Sequence, residues 1–336
     1  MRASFAGIVL SLLFTGTAAV ACPICVGGAA HSAVDELIEA PRAVLAAPEG
    51  KQYRVLGLVK GPQPDAVLKE VFVRNGADSG KPLLLVRDDA WPMWVSLGAM
   101  DPRQAAMLHE LAAPRPQDAD DPTWRRRVEL VLPHLASRQA LLAQIAYAEC
   151  ASAPYSALRA ARPRLDAAAL RRLVSDPQLA SRRSVYIHLL GIAGGAGDAA
   201  AIETQLDAAW RAKDATNLAP LLAADLELRG ASRVAWIEDR YLRDGTRSAP
   251  EITAALLALS VHGQARGVIP RERVIEAYRV FMREHKDRAG LVAPDLAAWG
   301  YWDAAPDYAA LLKSGPRQQY ASLAAIQAYL RQSEAR

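Results

Sequence analysis

Hydrophobic positions fall into two regimes along this chain. Between residues 43 and 97 the apolar runs are short and near-alternating: Ala43-Val44-Leu45-Ala46, Tyr53 to Val59, Val67 to Val73, Pro82 to Val86, and Met93 to Leu97. Gly50, Gly61-Pro62, Asn75-Gly76 and Asp88-Asp89 punctuate them, a pattern that predicts short strands joined by tight turns. Five strands in so short a span predict a small closed sheet, because closure removes exposed edges. From Trp124 to the end the period is helical. Trp124, Val128, Val131, Leu132 and Leu135 make one stripe, and Leu141, Leu142, Ile145 and Ala148 the next, as expected for helices burying one face. Further helices are predicted over 166–174, 181–192, 199–213, 218–228, 232–242, 251–261, 271–285, 288–299, 306–313 and 317–332. Ahead of the strands, 31–39 reads as a short helix with Val34, Leu37 and Ile38 on one face.

Small-residue breaks divide the helical half. Gly194, Gly230, Gly263 and Gly300 each follow an apolar helix end, with spacings of 36, 33 and 37 residues, and a left-handed residue just past a helix is where glycine belongs. Asp166, Asp198 and Asp303 are expected N-caps, Ser248-Ala249-Pro250-Glu251 reads as a capping box, and Pro270 and Pro316 are expected to start helices. A repeat near 35 residues is the period of stacked helix pairs, which bury their apolar faces only against neighbours. The pattern resembles degenerate HEAT-like repeats over 124–336. The expected fold is therefore mainly α, a HEAT-like α-solenoid preceded by a small β-barrel. Its divisions are a signal peptide (1–21), a β module with an N-terminal C-x-x-C (22–100), a short helix and linker (101–123), and the helical repeats (124–336). Within the third, Met107, Leu108 and Leu111 are placed to dock on the module before them.

The order helix, strand, strand ending Lys60-Gly61, strand, strand resembles the oligonucleotide-binding-fold barrel in its secreted, netrin-like form, including the tissue inhibitors of metalloproteinases. Those inhibitors begin Cys-x-Cys, whereas Cys22-Pro23-Ile24-Cys25 stands here. The whole chain is similar to uncharacterised exported bacterial proteins that start Cys-Pro-x-Cys and continue into HEAT-like helices, a likeness that implies no activity.

Composition narrows the function classes. A hydrophobic fraction of 51% supports packed cores. Net charge is only +4, and of 40 basic residues seven are lysine. No basic stripe with interleaved aromatics or nucleic-acid module is present, so nucleic acid is not the expected partner. Met1-Arg2, the apolar run Phe5 to Phe14 and the Ala19-x-Ala21 exit read as a secretory signal, cleaved to leave Cys22 first. The expected location is periplasmic or extracellular, with envelope association through a lipid anchor at Cys22 as an alternative, although Ala19 replaces the leucine of a lipobox. In an oxidising compartment Cys22 and Cys25 read as a disulfide, or, with His31, as a metal site, or as a redox couple. Cys150 reads as a buried apolar thiol. The remaining histidines stand singly, and Trp210, Trp236 and Trp299 fall at core spacing. Tyr301-Trp302, beyond the glycine at a helix end, is the candidate binding rim. No H-E-x-x-H, G-x-S-x-G, phosphate loop or dinucleotide fingerprint occurs, and no cofactor is expected. The reading is a non-enzymatic interaction protein that holds a protein or peptide through its helical array. The alternative is a metal-binding or thiol-redox protein acting through Cys22 and Cys25.

Overall fold

The computed structural model describes residues 31–74, 80–91, 93–264 and 267–336. It is mainly helical, with a barrel-like sheet at the front that is nearly closed. The first helix, α1 (Ala33–Glu39), starts at Ser32, whose side chain and that of Asp35 cap each other's backbone N–H groups. Six strands follow: β1 (Arg42–Glu49), β2 (Gln52–Lys60), β3 (Val67–Leu68), β4 (Val71–Phe72), β5 (Leu83–Arg87) and β6 (Trp94–Ala99). They lie in the order β3-β2-β1-β5-β6-β4. β4 runs parallel to β6, and the other pairings are antiparallel. Because only Lys69 and Glu70 separate β3 from β4, the two ends of the sheet are neighbours in the chain. The sheet must therefore curl round on itself. Register shifts in β1 beside Val44 and Ala46, and between Leu84 and Leu85, supply the extra bend.

The unbroken apolar run at 43–46 follows from burial on both sides of the sheet. Val44, Ala46, Leu83, Leu85 and Trp94 fill the barrel interior. Ala43, Leu45, Leu84 and Val86 point outward into a second core shared with the helices. The Lys60-Gly61 turn also has a local cause. Lys60 Nζ donates to the Ile38 carbonyl at the end of α1, while Gly61 has φ +79°, and a Cβ there would lie 2.4 Å from the Pro41 carbonyl oxygen.

A 3₁₀ turn and α2 (Ala105–Leu111) bury Met107, Leu108 and Leu111 as expected, with α2 packed on β2. His109 Nδ1 sits 2.8 Å from the Val59 carbonyl. The helical half comprises α3 (Pro122–Val131), α4 (Ala140–Ser152), α5 (Tyr155–Ala160), α6 (Ala167–Ser175), α7 (Arg183–Ala193), α8 (Ala196–Ala212), α9 (Leu218–Arg229) and α10 (Ser232–Ile237), which continues as a π-helical turn, Glu238–Leu242. Then come α11 (Ala249–Gly263), α12 (Arg271–Glu284), α13 (Ala293–Ala298, after a 3₁₀ segment Lys286–Val292), α14 (Ala305–Ser314) and α15 (Tyr320–Glu334). α9 lies between α7 and α11, and its residues Leu218 to Leu226 are all buried, the one charged residue among them, Asp225, being paired with Arg233. A Cβ on Gly191 would meet Ala224 at 2.6 Å, so α7 and α9 approach backbone to backbone. Among the described residues no helix is long and apolar enough to cross a membrane.

The four break glycines are not equivalent. Gly230 and Gly300 take the expected positive φ, +74° and +69°. Gly194 is extended at φ −75°, and Gly263 is the last residue of α11. Its lack of a side chain has another reason: the Trp299 ring occupies the space a Cβ would take, 2.4 Å away. The capping box at Ser248 and Glu251 and the Asp166 cap are present. Asp198 instead sits inside α8 and accepts from the Gly195 N–H at 3.0 Å. Ala304 occupies the cap expected of Asp303, and α15 begins at Tyr320, beyond Pro316.

Front and back are joined by buried charge. Glu149 on α4 accepts from Arg127 Nε at 2.7 Å and Arg115 Nε at 2.9 Å. Arg115 also pairs with Asp35 of α1. Arg127 also donates from Nη1 to the Ala113 carbonyl and from Nη2 to the Leu111 carbonyl.

Candidate functional site

Cys22 and Cys25 lie outside the described residues. His31, read with them as a metal ligand, stands at the wall of a cavity of about 570 Å³ beside Phe72, Trp91 and Met93, its Nε2 3.5 Å from Glu39. Among the described residues no three His, Cys, Asp or Glu side chains converge as a metal site.

Part of the arginine excess is accounted for by structure. Arg247, Trp210, Arg240, Trp236 and Arg233 alternate as a ladder across α8, α10 with its π-helical turn, and the loop before α11, with guanidinium-to-ring distances of 4.4 to 4.7 Å. The same arginines also face carboxylates: Arg233 pairs with Asp225, Arg240 with Asp207 and Arg247 with Glu251. Trp210 and Trp236 are thus rungs of this ladder, half-buried against the core.

Two sites bring together polar groups that are far apart in sequence. In the first, His188 of α7 and His262 of α11 flank the ring of Tyr155, at centroid distances of 5.5 and 5.1 Å. His262 Nε2 donates to the Ala223 carbonyl at 2.8 Å, which leaves Nδ1 facing the Tyr155 hydroxyl at 3.4 Å. The hydroxyl donates to Glu227, which Arg159 also binds. Burial pushes the His262 imidazole down to about 3, against the opposing pull of the Ala223 carbonyl. Both rings are sealed from solvent, at 1% and 0% exposure. Spacing along the chain gave no sign of this pair, because the two histidines meet only through the lateral packing of α7, α9 and α11.

The second is open. α12 and α14 flank a cleft of about 590 Å³. Arg279 and Arg283, one helical turn apart, and Lys286 just beyond α12 place three cations along it. Asp307 is the single carboxylate among its lining residues, and Met282 and Leu311 add apolar surface. The three cations and Asp307 form no ion pair with any described residue. The end of the cleft is held in place. Gln318 donates to the Lys286 carbonyl at 2.7 Å, and Gln319 binds Asp287 through both its backbone and its side chain.

The candidate rim is split by this geometry. Tyr301 accepts from Arg279, whose guanidinium also stands 5.6 Å over its ring, so it adjoins the cleft. Trp302 turns the other way, its ring 5.0 Å from Tyr329 with Arg336 over it. The sequence reading missed the cations, although Arg279, Arg283 and Lys286 at i, i+4 and i+7 fall on one helical face.

No family model matches this chain, and neither a curated protein nor a solved structure does.

Proposed function

We propose that this is an exported, non-enzymatic interaction protein that holds a protein or peptide partner in the cleft between α12 and α14. The observation that carries the reading is the cleft itself, a preformed recess whose three cations have no carboxylate partner among the described residues. Cations left without a carboxylate in this way suit an incoming anionic group.

The architecture supports the reading. β1 bonds to both β2 and β5 while β4 lies parallel to β6, connectivity in keeping with an oligonucleotide-binding-like barrel. The lateral row α7, α9, α11 is in keeping with stacked helix pairs of HEAT-like type, whose turns and grooves bind extended partners. Residues 1–21 carry the export signal, which would leave the mature chain starting at Cys22.

Ala310 lines the cleft, and Ala310→Trp fills it without touching the core. The mature wild-type chain is expected to retain an envelope protein that binds again when both are purified, and the variant is expected to lose it. A partner held equally by both chains, or turnover of a substrate by the purified chain, would overturn the reading.

A further inference from the structure

We infer, resting on that reading, that the segment held between α12 and α14 is acidic and carries an apolar side chain beside its carboxylates. Arg283 and Lys286 are exposed and, among the described residues, have neither an ion pair nor a side-chain hydrogen bond. Arg279 is committed only to a neutral phenol, Tyr301. Three cations against one carboxylate, Asp307, give the recess a positive potential, and unpaired guanidinium and ammonium groups favour carboxylate ligands over water.

Next to these charges the surface turns apolar. Leu311, Gly315 and Pro316 belong both to the cleft and to a second recess that also includes Leu312, Tyr320 and Leu323. Leu312 is 40% exposed and Tyr320 89% exposed, so large apolar side chains face solvent just across the Gly315-Pro316 ridge. Charge and exposed apolar surface lie side by side, an arrangement that fits a peptide with acidic residues followed by a leucine or aromatic residue.

A polyphosphate chain fits less well. Asp307 interrupts the positive surface where a nucleic acid would require it to continue, and Met282 and Leu311 line the recess where phosphates would lie.

The test uses the mature chain and a fluorescein-labelled peptide, a run of glutamates ending in phenylalanine and leucine, followed by anisotropy. Saturable binding is expected, weakened by added salt. The pair Arg283→Glu and Lys286→Glu is expected to lower affinity at least about tenfold, since each reversal puts like charge against the ligand. Leu312→Ala with Tyr320→Ala is expected to lower it by about threefold or more through lost apolar contact. These four side chains are exposed and outside the core, so unchanged thermal unfolding is expected in both variants. No binding, binding unaffected by the charge reversals, or equal binding of the lysine version of the peptide overturns the inference. Tighter binding of single-stranded oligothymidylate at the same residues overturns it in favour of a nucleic acid. If the acidic peptide fails while Ala310→Trp still releases an envelope partner, only the partner chemistry is wrong. A partner indifferent to Ala310→Trp removes the functional reading as well.

Discussion

Glu149→Gln tests whether buried charge ties the front of the molecule to its helices. The substitution keeps the side-chain volume and removes only the charge. Glu149 has no solvent-exposed side-chain surface, and Arg127 has 2%. The carboxylate receives Nε donors from Arg127 at 2.7 Å and from Arg115 at 2.9 Å. Removing one member of a buried pair leaves the other charge uncompensated, typically at a cost of about 3–5 kcal/mol. Arg127 retains two carbonyl acceptors, at 2.9 and 3.1 Å, and Arg115 retains Asp35, so the lower end, about 3 kcal/mol, is expected. At about 2.1 cal per mole per kelvin per residue, roughly 300 folded residues lose about 1.5 °C for each kcal/mol, and Tm should fall by about 5 °C. Differential scanning calorimetry reads this directly. Arg125→Gln is the control: its pair with Glu129 is exposed on the arginine side, 63%, and should cost under about 0.5 kcal/mol. A double variant, Arg127→Met with Glu149→Leu, should cost less than the sum of its singles, because neither member of that pair is left facing the gap of the other, while Arg115 keeps Asp35. A Tm change below about 1 °C for Glu149→Gln, or fully additive singles, would refute the reasoning.

The remaining predictions concern a histidine, two glycines and a thiol. His262 is held neutral by burial, from 6.5 down to about 3. The unfolded chain therefore takes up a proton below pH 6.5 that the native ring refuses, and stability falls as pH drops towards 3; between pH 7 and 5 this amounts to about 2 kcal/mol. Urea unfolding of the wild type and His262→Gln at both pH values should show that much less pH dependence in the variant, and parallel profiles would disprove the assignment. Gly191→Ala should lower Tm, since its Cβ would press on Ala224 at 2.6 Å, an overpacking worth about 1–3 kcal/mol. Gly197→Ala, helical with nothing within 4 Å, should raise Tm by removing backbone freedom from the unfolded chain, by up to about 1 kcal/mol; equal signs for the two would contradict the packing described. With Cys22 and Cys25 changed to serine, Cys150 should react with an aromatic disulfide reagent only after denaturation, because it is fully buried and burial raises its pKa far above that of a free thiol. Rapid labelling of the native protein would show the site is open.

The elements that could be read from the chain are those set by local periodicity. Apolar stripes at 3.6-residue spacing placed most helices within a few residues, α5 being the one not expected, and the near-alternating runs placed the strands except that 67–73, read as one, is split into β3 and β4 at opposite ends of the sheet. Ser248 with Glu251 and Asp166 are also local, since a cap is decided within one turn. Gly263 was misread because its reason lies in Trp299, distant in sequence. Asp198 was misread because Gly195 leaves the helix start to its backbone. Tyr301 and Trp302 are adjacent in sequence, yet one meets Arg279 and the other Tyr329, because successive residues beyond a helix end face different neighbours.

Sequence by itself therefore determined most of where the described chain is helical and where it is extended. Those choices depend on side-chain sterics, capping and apolar period over a few residues. Only the tertiary structure decided that β4 closes beside β6, that Glu149 is shared by two arginines, that His188 and His262 meet across Tyr155, and that three cations along one cleft have no carboxylate partner among the described residues. Each depends on which distant segment is packed opposite, and desolvation together with unpaired charge acquires its meaning only once that packing is known.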